Sequence, residues 1–249
     1  MKFINKYKSS NFNKRKTSSI ISLIIIHYTA MQTDIEAINH LCNKVSKVSS
    51  HFLINKKGNI YNLVNLKNRS WHAGLSYWKN IKDINSYSIG IEMDYSGTDS
   101  NNNKFSNLQI KSLEKLLIYL KRKYKIKSNS ILGHSDISPY RKKDPGEKFP
   151  WRAFSVKKIV FFPQKIKKSE SQNIDNLLNK LSLNSRKEKA LFMLSKIGYD
   201  VNLAKKSRFF YIKLIKAYQM HYGKSDLKGL LDLSTYEKIK CHYNDLLTI

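Results

Sequence analysis

Two imidazoles and a carboxylate stand where a chain could build a metal site. His27 closes a nearly continuous β-branched run, Ile20–Tyr28, at the point where a buried strand would meet a loop. His134 follows Gly133 in a loop after Ile131-Leu132, and Asp144 comes ten residues later inside Lys142-Lys143-Asp144-Pro145-Gly146. Two His and one carboxylate are a common three-ligand set for catalytic zinc, with the fourth position left to water. The residue types alone do not decide it. The chain has seven histidines, and most histidines in proteins are structural or surface residues. His51 starts a strand and reads as structural. His40, His221 and His242 lie on helices and read as surface or packing residues. His72, between Trp71 and Ala73-Gly74, admits three readings: fourth ligand, substrate contact, or buried structural histidine.

The elements that must position these residues follow from periodicity. Ile20–Tyr28 suits a strand buried on both faces. Thr33-Asp34-Ile35-Glu36 reads as a capping box opening a helix to about Cys42. His51–Asn55 and Ile60–Val64 read as strands joined by a hairpin turn at Lys56-Lys57-Gly58-Asn59. Tyr87–Met93 is a further strand, on which Ile91 and Met93 point away from Glu92. Ser106-Asn107-Leu108-Gln109 is a second capping box. It starts a helix with an apolar stripe of Leu108, Leu113, Leu116, Leu117 and Leu120. Strands mixed with helices predict an α/β (α+β) catalytic domain over residues 20–155, a mixed central sheet flanked by helices. Residues 1–19 are basic, polar and expected to be mobile or draped on the surface. Val156–Gln172 reads as a linker. Residues 173–249 read as a small all-helical domain: Asn173–Leu181, Lys187–Ile197 stopped by Gly198, Arg208–Tyr222 stopped by Gly223, and a last helix opened by a capping box at Ser234-Thr235-Tyr236-Glu237.

Composition sets the outer limits. The chain has 249 residues, 41% of them hydrophobic, enough to bury a real core in one large domain or two smaller ones. The formal charge of +28 comes from 46 Lys+Arg against 18 Asp+Glu. Such an excess attracts polyanions. Here the basic residues are spread along the chain, Asn, Ile and Tyr are abundant with them, and no nucleic-acid motif is present, so a specific nucleic-acid partner is not expected. The two cysteines, Cys42 and Cys241, allow no disulfide framework and no Cys-x-x-Cys site. No run reaches the ~18 apolar residues of a membrane span. Residues 1–26 resemble the first two regions of a signal peptide, but cleavage near Ala30 would remove His27, so Ile20–Ile26 is read as a strand of the mature protein.

Four segments resemble the amidase-2 family of N-acetylmuramoyl-L-alanine amidases, the anhydromuramyl-peptide amidases included. They are Ile24-Ile25-Ile26-His27-Tyr28-Thr29; Trp71-His72-Ala73-Gly74 with Ser76-Tyr77-Trp78; Ser88-Ile89-Gly90-Ile91-Glu92; and Gly133-His134-Ser135-Asp136-Ile137-Ser138-Pro139 continuing through Arg141-Lys142-Lys143-Asp144-Pro145-Gly146 to Phe149-Pro150-Trp151. They occur in the family's order and spacing and cover about residues 18–155. More loosely, Ala217-Tyr218-Gln219-Met220-His221-Tyr222 resembles the central helix of a peptidoglycan-binding domain, as in the envelope-associated members of the family.

The resemblance implies one zinc ion per chain, held by His27, His134 and Asp144. It implies that Glu92 activates the zinc-bound water, and that Lys142 stabilises the tetrahedral oxyanion. His72 falls at the cleft outside the metal shell and is expected to contact substrate. Trp78 is a further substrate-binding candidate, with core the other reading. Trp71 is expected in the core, and Asp136 is expected to order its loop. The implied reaction cleaves the amide between N-acetylmuramic acid, the 1,6-anhydro form included, and L-alanine in peptidoglycan or muropeptides. The alternative is a non-catalytic peptidoglycan recognition protein, from which the complete set of five residues separates this chain. The implied setting is the bacterial envelope, the periplasm in particular, with the cytoplasm as the other reading. The helical tail is expected to help hold peptidoglycan and to take no part in the chemistry.

Overall fold

Side-chain alternation along two central strands sorts the first part of the chain into layers. The computed structural model describes residues 1–97, 104–223 and 227–247. In chain order the elements are β1 (Phe12–Lys14), β2 (Leu23–Tyr28), α1 (Asp34–Cys42), β3 (Phe52–Ile54), β4 (Ile60–Asn62), β5 (Asn68–Ser70), α2 (Ile84–Tyr87), β6 (Ser88–Met93), α3 (Asn107–Tyr124), β7 (Ile131–Gly133), α4 (His134–Ile137) and α5 (Trp151–Val156). The helices α6 (Lys168–Lys180), α7 (Arg186–Ile197), α8 (Asn202–Lys206), α9 (Arg208–Tyr222) and α10 (Leu233–Leu247) follow. The chain forms two compact units, neither of them one continuous stretch. The first is Met1–Ser76 with Asp83–His134 and Asp144–Phe161; the second is Tyr77–Lys82 and Ser135–Lys143 with the chain from Phe162 onward.

In the first unit a mixed five-stranded sheet runs in the order β4-β3-β6-β2-β7. β2 lies parallel to both β6 and β7, β3 parallel to β6, and β4 antiparallel to β3. One sheet face carries Ile24 and Ile26 of β2 and Ile89, Ile91 and Met93 of β6 against Leu113, Leu116, Leu117 and Leu120 of α3. Each such side chain, fully buried, contributes roughly 1.5–3 kcal/mol. On the other face Leu53 packs with Ala37, Ile38 and Leu41 of α1. The stripe on α3 begins one turn later than the sequence implied, because Leu108 is 58% exposed. Both helices start where their caps were expected. The Thr33 hydroxyl accepts the Glu36 amide at 3.1 Å, and Ser106 and Gln109 cap each other reciprocally.

The basic N-terminal segment is not loose. Ser9 donates to the Leu41 carbonyl, and the Asn11 side-chain amide donates to the carbonyls of Asn43 and Val48. β1 pairs antiparallel with β5. The Arg15 guanidinium donates to the carbonyls of Leu66, Asn85, Ser86 and Ser88. Beside it His51 is fully enclosed. Its Nδ1 accepts the Gly90 amide at 3.0 Å, and its Nε2 lies 3.1 Å from the Asn68 carbonyl and 3.0 Å from the Arg15 guanidinium. Burial and then the neighbouring Arg15 charge lower its pKa to about 3.

The second unit is helical in its C-terminal portion. α6 begins inside the expected linker, at Lys168, and α8 was not anticipated. α7 ends at Gly198, at φ +140°, where a Cβ would also come within 2.8 Å of the Trp78 indole. α10 starts at Leu233, one residue before the expected cap, because Asp232 rather than Ser234 accepts an amide there, that of Thr235 at 2.7 Å. The inserted segment Ser135–Lys143 is held in this unit by one buried carboxylate. Asp136 accepts the Tyr199 hydroxyl at 2.5 Å on one oxygen, and its other oxygen lies 2.6 Å from His221 Nδ1. Tyr140 donates to the Asp200 carbonyl, and Lys213 donates to the Tyr140 carbonyl. His221 is therefore a buried partner of Asp136, and His242 is buried too.

The His51 environment predicts acid lability. An unfolded histidine takes up a proton near pH 6.5, whereas folded His51 does so only near pH 3. Its neutral form therefore stabilises the fold fully above about pH 6.5, and that stability is lost as pH falls from there toward 3. Between about pH 7 and about pH 5.5 the loss from this one group is about 1 kcal/mol. Denaturant unfolding at both pH values should show His51→Gln losing about 1 kcal/mol less than the wild type over that interval; equal losses would refute the assignment.

Candidate metal centre

Parallel pairing brings the proposed ligands to one end of the sheet. β2 and β7 run in the same direction with Ile26 opposite Gly133, so His27 leaves β2 and His134 leaves β7 at the same edge. Such an edge, at the carboxyl ends of parallel strands, is where α/β sheets place their sites. Because Ile24 and Ile26 turn toward α3, His27 turns to the opposite face. Glu92 is its register partner on β6 and shares that face.

Three ligand atoms converge there. His27 Nδ1 and His134 Nδ1 lie 3.0 Å apart, and each lies 3.0 Å from Asp144 Oδ2. All three residues are buried. His134 Nε2 is 3.0 Å from the Ala73 carbonyl, which can only accept, so the proton of the neutral ring sits on Nε2 and the Nδ1 lone pair faces the cluster. A carboxylate oxygen beside bare imidazole nitrogens is repulsive unless a cation lies among them. The donor set, two nitrogens and one oxygen, fits a divalent metal of the zinc type with a position left for a fourth ligand. To serve as a ligand, Asp144 would be ionised.

The other candidates fall in different places. Glu92 is half-buried on β6. Lys142 is half-buried in the second unit; its amide donates to the Ser138 carbonyl, and its ammonium makes no ion pair among the described residues. His72 is buried, with Nδ1 3.0 Å from His27 Nε2 and Nε2 3.0 Å from the Ser88 hydroxyl, so both ring nitrogens face protein atoms and not a substrate. Burial and then the neighbouring His27, His51 and His134 keep its pKa well below that of a free imidazole. Trp78 is 2% exposed, with Tyr199 edge-on at 5.0 Å, and its place is core rather than a sugar platform. Trp71, expected in the core, is instead half-exposed and donates from its indole nitrogen to Asn13. Sequence reasoning did not single out Ser88, Gly90, Asn85 or the Ala73 carbonyl. The signal for the first two was the alternation Ser88, Gly90, Glu92 along one strand face. Asn85 and the Ala73 carbonyl left none.

Against known proteins, the N-acetylmuramoyl-L-alanine amidase profile (Amidase_2) matches residues 16–147. The chain is 31% identical over 232 residues to N-acetylmuramoyl-L-alanine amidase AmiD of Escherichia coli (strain K12), covering 86% of this chain and 79% of that protein. It is 34% identical over 165 residues to 1,6-anhydro-N-acetylmuramyl-L-alanine amidase AmpD of Haemophilus influenzae, covering 59% of this chain and 88% of that protein. The structure of E. coli AmiD in complex with anhydro-N-acetylmuramic acid-L-Ala-D-gamma-Glu-L-Lys superposes with a TM-score of 0.77 at 27% identity, over 93% of each chain. With the profile spanning His27, Glu92, His134 and Asp144, and the likeness to AmiD extending over most of the chain, this protein belongs to the Amidase_2 family of N-acetylmuramoyl-L-alanine amidases.

Proposed function

We propose that the protein is a zinc amidase that hydrolyses the amide joining the lactyl carboxyl of N-acetylmuramic acid, the 1,6-anhydro form included, to the amine of L-alanine. The observation that carries this reading is the mutual 3.0 Å approach of His27 Nδ1, His134 Nδ1 and Asp144 Oδ2. The named relatives support the substrate, since AmiD was solved with an anhydromuramyl peptide. Peptidoglycan or its muropeptides are then the partners, and the bacterial envelope is the setting we assign. Among the described residues no helix is long and apolar enough to cross a membrane.

An amide carbonyl is a poor electrophile, so the reaction needs a nucleophile available at neutral pH. His27, His134 and Asp144 would hold a zinc ion, which when bound would lower the pKa of water from ~15.7 toward ~7 and polarise the carbonyl. We assign the remaining steps to the protein's own groups. Glu92, on the same strand face as His27, takes the proton from the attacking water and delivers it to the alanine nitrogen as the C–N bond breaks. Lys142, two positions before Asp144, offsets the charge that develops on the carbonyl oxygen. The products are a lactyl carboxylate and a free α-amine.

We infer that the helical tail does more than bind wall polymer: the segment Ser135–Lys143, which carries Lys142 and joins the ligands His134 and Asp144, is packed in the helical unit through Asp136, Tyr199 and His221. Peptidoglycan binding by the tail remains part of the proposal, resting on the α9 sequence resemblance.

These assignments give four expected outcomes. His134→Ala should abolish both stoichiometric zinc and muropeptide cleavage; full zinc by elemental analysis would remove it from the ligand set. Glu92→Gln, outside the ligand set, should keep its zinc and lose activity on the order of 10²-fold or more, read by mass spectrometry of products from a defined anhydromuropeptide. His221→Ala removes one partner of the buried Asp136 carboxylate, which should cost about 3 kcal/mol or more of stability. A fragment ending at Lys165 should accordingly lose cleavage of small muropeptides and of whole sacculi alike. Near-normal turnover of the small substrate by that fragment would make the tail a separable module.

A further inference from the structure

The hydrogen bonds around His72 form a chain whose direction is fixed at its far end. The Ser88 hydroxyl lies 2.7 Å from the Ile84 carbonyl, which can only accept, so the Ser88 proton points there. The Ser88 oxygen is left as an acceptor, and the group facing it at 3.0 Å is His72 Nε2, which must carry the proton. His72 Nδ1 is then bare, and it lies 3.0 Å from His27 Nε2, which must therefore be the donor. With its proton on Nε2, the neutral His27 ring presents the Nδ1 lone pair to His134 and Asp144.

The residue after His72 does the same for the second ligand, since the Ala73 carbonyl accepts from His134 Nε2 at 3.0 Å. The backbone of this dipeptide is itself held: Asn85 Oδ1 accepts the amides of His72 and Ala73 at 3.1 and 2.8 Å. Gly90 on β6 lies directly under the imidazole, and a Cβ there would come within 2.5 Å of the His72 ring.

We propose that the His72-Ala73 dipeptide, clamped by Asn85 and seated on Gly90, sets the tautomer and orientation of both histidine ligands, and that His72 is a positioning residue for the metal site rather than a substrate contact. The proposal rests on the metal reading above. Partners in this position typically change metal affinity by about 10–100-fold when removed.

Two measurements test it, neither dependent on turnover. In the zinc-loaded wild type, ¹⁵N imidazole shifts should show His72 as the neutral Nε2–H tautomer; a proton on Nδ1 would overturn the chain of donors. Zinc affinity by chelator competition, together with the visible spectrum of the cobalt-substituted protein, should show His72→Phe weakened on the order of 10–100-fold with an altered spectrum. His72→Asn, whose amide oxygen can stand near the position of Nδ1, should recover most of that loss. Ser88→Ala, which leaves the ring in place, should show a smaller shift in the same direction and serves if the phenylalanine variant does not fold. Wild-type affinity and an unchanged cobalt spectrum in a folded His72→Phe, or in Ser88→Ala alone if that variant does not fold, would overturn the proposal while leaving the metal reading intact. A wild type that binds no zinc would overturn both.

Discussion

The register between β2 and β6 is the constraint on which the catalytic unit depends. With Ile25 opposite Gly90 and His27 opposite Glu92, Ile24, Ile26, Ile89, Ile91 and Met93 face α3 as aliphatic core, and the intervening residues face the metal side. A shift of one residue would turn the two faces over, placing His27 and Glu92 against Leu116 and Leu117 and isoleucines at the site. The buried aliphatic face resists that shift, because it would strip several fully enclosed side chains of their packing. The hydrophobic core and the chemistry are thus set by the same alternation. Parallel pairing adds the second condition, since it delivers the ends of β2 and β7 to one edge without a long loop.

Much of this was legible in the residues. The β-branched run before His27, the Ile91 and Met93 alternation around Glu92 and the leucine stripe of α3 each obey a simple period, and the structure has the corresponding elements. Between mobile and surface-draped the N-terminal segment could not be decided, because its anchors leave no apolar period. Asn11, Ser9 and Arg15 hold it by donating to backbone carbonyls, and nothing in a polar sequence announces which carbonyls will be near. Trp71 left its expected place, and Trp78 took the second of its two readings, for a similar reason. Trp78 is covered by Tyr199, more than a hundred residues later in the chain, whereas Trp71 reaches Asn13 at the surface.

The histidines show how far residue type falls short of role. Of the four close to the sheet, His27 and His134 present a lone pair to a common point, while His72 and His51 are held neutral by burial and by their neighbours. All four look alike in the sequence. What separates them is which nitrogen finds a carbonyl or hydroxyl partner, a question decided by Ser88, Asn68 and the backbone of Ala73. A motif such as Trp71-His72-Ala73-Gly74 therefore encodes a hydrogen-bond direction as well as a side chain.

The interrupted make-up of the two units bears on how such proteins can be recombined. Tyr77–Lys82 and Ser135–Lys143 are short excursions of the first half of the chain that belong to the helical unit. A crossover placed in the apparent linker after Phe161 would graft a foreign tail while leaving Asp136 and Trp78 behind, without the Tyr199, His221 and Gly198 to which they are fitted. The exchangeable piece is a discontinuous set of three segments. Tail swapping between members of this architecture should therefore succeed only when the donor's versions of those two excursions travel with its helices.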